Sequence, residues 1–207
     1  NINLDFYNKK INISFKNDES PLTQADLASN KLITDSIKKI TPKIPILSEE
    51  EFIEWDVRKE WKKYWLIDPL DGTKEFIKKN GEFTVNIALI ENNKPTLGVI
   101  YAPVSNELYF SKKNFGSFKI LTSKQLNTLD NAKKISIKIN KTNKVNIIGS
   151  RSHSNPILNK WVSKNFNDFQ ILQKGSSLKF CLIAEGFADI YPRFGPTSEW
   201  DIAAGHI

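Results

Sequence analysis

Acidic residues recur where apolar runs of this sequence stop. Glu49 and Glu50 follow residues 45–47, Asp68 follows residues 65–67, and Asp71 lies three positions further on. Carboxylates at successive strand ends can converge on one rim of a sheet. There they repel one another unless cations neutralise them, and an all-oxygen shell suits hard ions such as Mg2+. Pro69 stiffens the turn between the two aspartates, and the Leu70 carbonyl is a natural further oxygen ligand. Gly72 and Thr73 supply the complement: a short helix opening here would offer unpaired N–H groups to an anion beside the cations. Cations next to an anion-binding helix end suit phosphoryl transfer. Asp-Pro-x-Asp-Gly is equally a favourable turn sequence with no chemistry attached. Asp26 and Asp201 each fall in the first turn of an expected helix, where the helix dipole alone favours an acid. The functional alternative for Asp26 is a general base or the orienter of an attacking water. Glu50 has plain solvation as its alternative.

Holding such groups together takes a mixture of strands and helices. Thr23 caps an expected helix with Asp26 in its first turn, and Ala25, Ala28, Leu32, Ile33, Ile37 and Ile40 follow a helical spacing that ends at Pro42 and Pro45. Short buried strands are expected over 44–47 and 64–67, with a charged, exposed segment over 51–63 between them. Strand-like stretches over 83–90, 96–102, 107–111 and 117–121 are separated by turns at Asn92-Asn93 and Asn106, which predicts a largely antiparallel meander. Residues 122–134 are polar and form the weakest boundary. A strand over 144–149, helices over 156–165 and 176–185, a strand over 188–191 and a helix starting at Ser198 complete the pattern. Residues 1–20 give no clear signal.

Other chemistries find no support. His153 and His206 lack zinc-motif spacing. There is no Gly-x-Ser-x-Gly, no Walker-type loop and no Gly-x-Gly-x-x-Gly. The one cysteine, Cys181, sits in an apolar stretch as a core residue; it excludes an internal disulfide framework and suggests a reducing compartment. No apolar run approaches the roughly 20 residues of a spanning helix, and no signal peptide opens the chain. The net charge of +7 is spread out and almost all lysine, with Arg58, Arg151 and Arg193 the three arginines, so a dedicated nucleic-acid surface is not indicated.

The combination Trp65-Leu66-Ile67-Asp68-Pro69-Leu70-Asp71-Gly72-Thr73 with Glu199-Trp200-Asp201-Ile202-Ala203-Ala204-Gly205 resembles the two signatures of the inositol monophosphatase-like family, metal-dependent and lithium-sensitive phosphatases. Ser48-Glu49-Glu50 and Thr23-Gln24-Ala25-Asp26 extend the match over about residues 20–207. Within the family, the stretches around Gly72-Thr73-Lys74-Glu75, Gly81-Glu82-Phe83-Thr84-Val85-Asn86, Ser150-Arg151-Ser152-His153, Gly175-Ser176-Ser177-Leu178-Lys179 and Tyr191-Pro192-Arg193 are most similar to the bacterial 3′(2′),5′-bisphosphate nucleotidases.

The resemblance implies a layered α/β (α+β) sandwich. It implies a part over 1–140 that carries the metal site and a part over 141–207 that carries the nucleotide grip. It further implies removal of the 3′-phosphate from adenosine 3′,5′-bisphosphate and its sulfated relative, in sulfate assimilation. Glu49, Asp68, Asp71, Asp201 and the Leu70 carbonyl would hold two or three Mg2+ ions. Asp26 and Thr73, with Glu49, would activate water. Gly72, Thr73, His153, Ser176, Lys179, Arg193 and Asp201 would hold substrate, and Arg151 and Arg193 suit a phosphate clamp. A cytoplasmic location is expected, with peripheral attachment to the inner membrane face as an option; the partner is a small nucleotide rather than nucleic acid, and the oligomeric state is open. The rivals are an inositol monophosphatase and, from another class, a non-catalytic binder of nucleotide or RNA. With no methionine and a stop soon after a helix begins, the chain is expected to lack residues at both ends.

Overall fold

A computed structural model of the chain describes residues 2–9, 13–16, 21–122, 128–137, 144–152 and 156–207. The first elements are α1 (Ile2–Tyr7), β1 (Ile13–Phe15), β2 (Pro21–Thr23), α2 (Gln24–Ile40), β3 (Ile46–Ser48) and α3 (Trp55–Arg58). The middle of the chain forms β4 (Lys63–Asp71), α4 (Thr73–Ile77), β5 (Thr84–Glu91), β6 (Lys94–Ala102), β7 (Glu107–Lys112), β8 (Gly116–Leu121) and β9 (Lys133–Ile135). Then come β10 (Val145–Ser150), α5 (Pro156–Asn165), β11 (Phe169–Lys174), α6 (Leu178–Ala184) and α7 (Glu199–His206).

Strands β3 to β9 form one sheet in sequence order, antiparallel except for the β3–β4 pair. The expected meander is there, and Asn92, Asn93 and Asn106 take the positive φ of tight turns. Alternation along β5 buries Thr84, Asn86, Ala88 and Ile90. Leu66, Ala88, Ile90, Ile100 and Tyr109 of the sheet pack with Cys181, Ala203 and Ala204 of α6 and α7. Two glycines allow that approach. A Cβ on Gly98 of β6 would collide with the Ala204 carbonyl of α7, and one on Gly205 would collide with the Phe180 ring. A smaller core of Ala25, Leu70, Phe76 and Phe83 is closed by Tyr7 of α1. β10 and β11 pair in parallel, with α5 as their crossover. The layered α/β expectation therefore describes the molecule.

Several expectations need correction. α2 starts where expected, with Thr23 and Asp26 in a capping box worth about 1 kcal/mol. However, Leu32 and Ile40 are exposed, and the buried face is Ala25, Asp26, Ser29, Asn30 and Thr34. That face is hydrogen-bonded, not greasy: Ser29 donates to the Pro69 carbonyl, and Asn30 bonds both Ser48 and Glu51. The segment 68–71 is not a free turn, because β4 continues to Asp71 across a register break. The end of the polar stretch 122–134 enters β9, an edge strand, where lysines are favoured against open-edge pairing. β11 was not expected, because its half-buried pattern hides the alternation of a strand. Residues 188–191 form one isolated bridge, Ile147 to Ile190, instead of a strand. The expected division at 140/141 lies outside the described residues.

Candidate active site

The end of β4 and the first turn of α7 bring carboxylate oxygens of Asp68, Asp71 and Asp201 within 4.8 Å of one another. Asp68 is 1% exposed; its Oδ1 accepts the Leu70 N–H at 3.1 Å, and its Oδ2 is buried with no hydrogen-bond partner among the described residues. Burial, and then the charges of Glu49, Asp71 and Asp201, hold its pKa well above the usual carboxylate range. Asp71 is pushed up to about 6 by burial, against the pull of Lys179 and with Asp201 adding to the rise. Asp201 Oδ2 accepts Ser198 N–H and Thr197 Oγ1, both at 2.8 Å, in a capping box. Asp26 and Asp201 thus both belong to helix N-terminal capping boxes; Asp201 is also in the trio, and Asp26 is joined to the cavity through Thr73.

Glu49 lines the same cavity but is not part of that trio among the described residues. Its Oε1 accepts Lys16 Nζ at 2.7 Å, and Lys16 reaches Glu50 at the same distance. Burial works to lower the Lys16 pKa, yet its bonds to Glu49 and Glu50 raise it to about 12. Glu50 is buried and paired, not merely solvated, and burial raises its pKa.

Gly72 caps α4 with φ 91°, a left-handed conformation that a side chain would strain. An added Cβ would also lie 3.1 Å from Ser176 Cβ and 3.3 Å from the Glu82 carbonyl. Thr73, the first residue of α4, donates from Oγ1 to Asp26 Oδ1 at 3.3 Å and approaches the Leu70 carbonyl at 3.4 Å. Asp26 is 2% exposed, and its Oδ2 accepts the Thr23 N–H at 2.8 Å and hydroxyl at 2.5 Å. Burial raises its pKa, the Thr23 bonds oppose the rise, and Glu49 adds to it.

A cavity of about 240 Å³ joins Asp71, Gly72, Thr73 and Asp201 to Ser176, Lys179 and Arg193. Lys179 is 5% exposed, donates to the Ser176 carbonyl and lies 5.4 Å from the Tyr191 ring centroid. Burial lowers its pKa, against the attraction of Asp71. Arg193 is exposed and donates to the Gly195 and Pro196 carbonyls of its own loop at 3.3 and 2.6 Å. Arg151 is not aimed at the cavity as a phosphate clamp. Its guanidinium forks onto Glu82 at 2.6 and 2.8 Å, and Glu82 also accepts the Gly175 N–H. His153 lies outside the described residues. The sequence reading gave no role to Asn86, Ser177 or Glu82. For Asn86 a signal existed: it is polar in the phase of β5 that also carries Ala88 and Ile90, and a buried amide needs partners.

The model of the inositol monophosphatase family matches residues 3–207, and the chain belongs to that family. Its particular relatives are more specific. It is 47% identical over 199 residues to the 3′(2′),5′-bisphosphate nucleotidase CysQ of Salmonella typhimurium, covering 96% of this chain and 76% of the relative. It is 48% identical over 200 residues to CysQ of Buchnera aphidicola, covering 96% and 71%. The crystal structure of CysQ from Bacteroides thetaiotaomicron superposes with a TM-score of 0.85 at 41% identity, covering 99% of this chain and 79% of that one.

Proposed function

We propose that the chain hydrolyses the 3′-phosphate of adenosine 3′,5′-bisphosphate, giving AMP and phosphate. It acts as well on 3′-phosphoadenylyl sulfate, the sulfated nucleotide of sulfate assimilation. The observation that carries this function is a cavity in which Asp71 and Asp201 of the acidic trio meet the Gly72 turn and the buried Lys179 ammonium. The nucleotidase relatives support the same substrate class.

The trio fits hard divalent cations. It offers only oxygen, burial and then the neighbouring charges, Asp71 and Asp201 among them, raise the Asp68 pKa, and Asp68 Oδ2 has no hydrogen-bond partner among the described residues. In this proposal Asp68, Asp71, Asp201, Glu49 and the Leu70 carbonyl hold two or three Mg2+ ions. Bound there, the ions supply Lewis acidity and lower the pKa of water. The backbone N–H groups of Gly72 and Thr73 hold the scissile phosphate. Thr73 orients the attacking water, and Asp26, whose proton affinity burial raises, takes its proton. Ser176, Lys179, Arg193 and Asp201 bind the rest of the nucleotide, with His153 assigned to it from the sequence alone. Lys179 and Arg193 match a second phosphate, which inositol 1-phosphate lacks, and this favours the nucleotide over the inositol substrate. The reaction is placed in the cytoplasm, with peripheral membrane attachment as an option and lithium as an inhibitor. Among the described residues no helix is long and apolar enough to cross a membrane.

A phosphate-release panel tests this, with adenosine 3′,5′-bisphosphate, its sulfated relative, inositol 1-phosphate and fructose 1,6-bisphosphate, each with Mg2+ and with excess chelator. The expected result is Mg2+-dependent release that is fastest from the two nucleotides. Faster release from inositol 1-phosphate overturns the substrate assignment, and undiminished release in chelator overturns the metal assignment.

A further inference from the structure

The two oxygens of Asp71 are not equivalent. Oδ2 accepts the Ser177 backbone N–H at 2.6 Å and Asn86 Nδ2 at 3.3 Å, with Thr84 Oγ1 at 3.5 Å. Oδ1 has no hydrogen bond among the described residues. Asn86 Nδ2 also donates to Ser177 Oγ at 2.9 Å, and Ser177 Oγ donates to the Asp201 carbonyl at 2.9 Å. Thr84 closes the network by donating to Asn86 Oδ1 at 3.0 Å. Asn86 and Ser177 are each 1% exposed. The Asn86 amide therefore gives one hydrogen to Asp71 Oδ2 and the other to Ser177 Oγ, which in turn bonds the Asp201 carbonyl on a separate element.

We infer that Asn86 and Ser177 are positioning residues for the cation site: they hold Asp71 by Oδ2, leave Oδ1 for the ion, and lock Asp71 to the turn that carries Asp201. This rests on the metal assignment proposed above. Removing the amide at position 86 would free Asp71 to rotate and leave its Oδ2 with fewer donors. Residues that orient metal ligands from behind typically change metal affinity about 10–100-fold when removed.

The test is calorimetric titration of Mg2+ alone into the metal-free protein, comparing the unmutated chain with Asn86→Ala and Ser177→Ala. Both variants are expected to bind Mg2+ about 10–100-fold more weakly, with Ser177→Ala the milder because its backbone N–H is retained. Activity is expected to return at high Mg2+, with little change in KM for the nucleotide. Melting of the metal-free proteins separates this from a packing role, which would lower the midpoint and leave Mg2+ affinity intact. Unchanged affinity in either folded variant overturns the inference alone. Absence of Mg2+ binding by the unmutated protein overturns the metal assignment and the inference with it. Should Asn86→Ala fail to fold, Ser177→Ala decides.

Discussion

On one side of the cavity, Asp71 is held through bonds to Asn86 and Ser177, which lie 15 and 106 positions away. On the other side, Arg193 donates to carbonyls only two and three positions along its own loop. The acidic rim thus exists only when β4, β5, α6 and α7 are all in place. The basic side has a buried part, Lys179, and an exposed part, Arg193, which is bonded to its own loop. In the proposed function, chemistry common to all phosphate monoesters belongs on the rim, where geometry is fixed by the whole fold, and selection between substrates belongs on the basic side.

The sharpest way to break this contrast is at the rim. Asp68→Asn is expected to lower the turnover rate on the order of 10³-fold or more for every substrate, measured by phosphate release at saturating Mg2+. A loss confined to nucleotides would dissolve the distinction between the two sides. Thr73→Ala should come next, with kcat down roughly 10²-fold and Mg2+ affinity nearly unchanged. If Mg2+ affinity collapses while kcat survives, Thr73 is part of the metal site and not of water activation.

At the basic side, Arg193→Ala should raise KM for adenosine 3′,5′-bisphosphate about tenfold, the scale of one charged hydrogen bond, and leave inositol 1-phosphate hydrolysis unaltered. Equal effects on both substrates would make Arg193 a brace for its loop. The smallest expected effect concerns stability without metal. Asp71 titrates at about 6 in the fold, above its ordinary 3.8, so the folded state binds more protons between those values. The stability contributed by protonated Asp71 is present below the unfolded pKa and is lost as pH rises through about 6. Asp71→Asn should therefore gain in melting temperature relative to the unmutated, metal-free protein as pH is raised through that window. Mg2+ should reverse that gain by stabilising the unmutated protein.

The same contrast explains what could be read in the chain directly. Asp68, Asp71, Gly72 and Thr73 were legible because a carboxylate at a strand end and a glycine at a sharp turn each carry their meaning locally. Thr23–Asp26 and Ser198–Asp201 were legible for the same reason, as caps three residues wide. Ser177 was not, because its bonds run to Asn86 and Asp71 across 91 and 106 positions, and Asn86 showed itself only as a polar residue in the buried phase of β5. The buried face of α2 was misread because hydrophobic spacing locates greasy contacts, whereas Ser29 and Asn30 meet the β4 end and the loop after β3 through hydrogen bonds. Arg151 had the chemistry of a phosphate clamp, and only the fold shows that Glu82 takes its fork.

The close seating of α7 has a consequence for inheritance. A methyl group on Gly98 would meet the Ala204 carbonyl, and one on Gly205 would meet Phe180, so neither site has slack to absorb a substitution. Asp201 rides on that helix, in its first turn. A screen for loss of function should therefore return alleles at Gly98, in the middle of a strand, that look like active-site lesions. Suppressors of such alleles would be sought among residues that let α7 shift back, not among those that touch substrate.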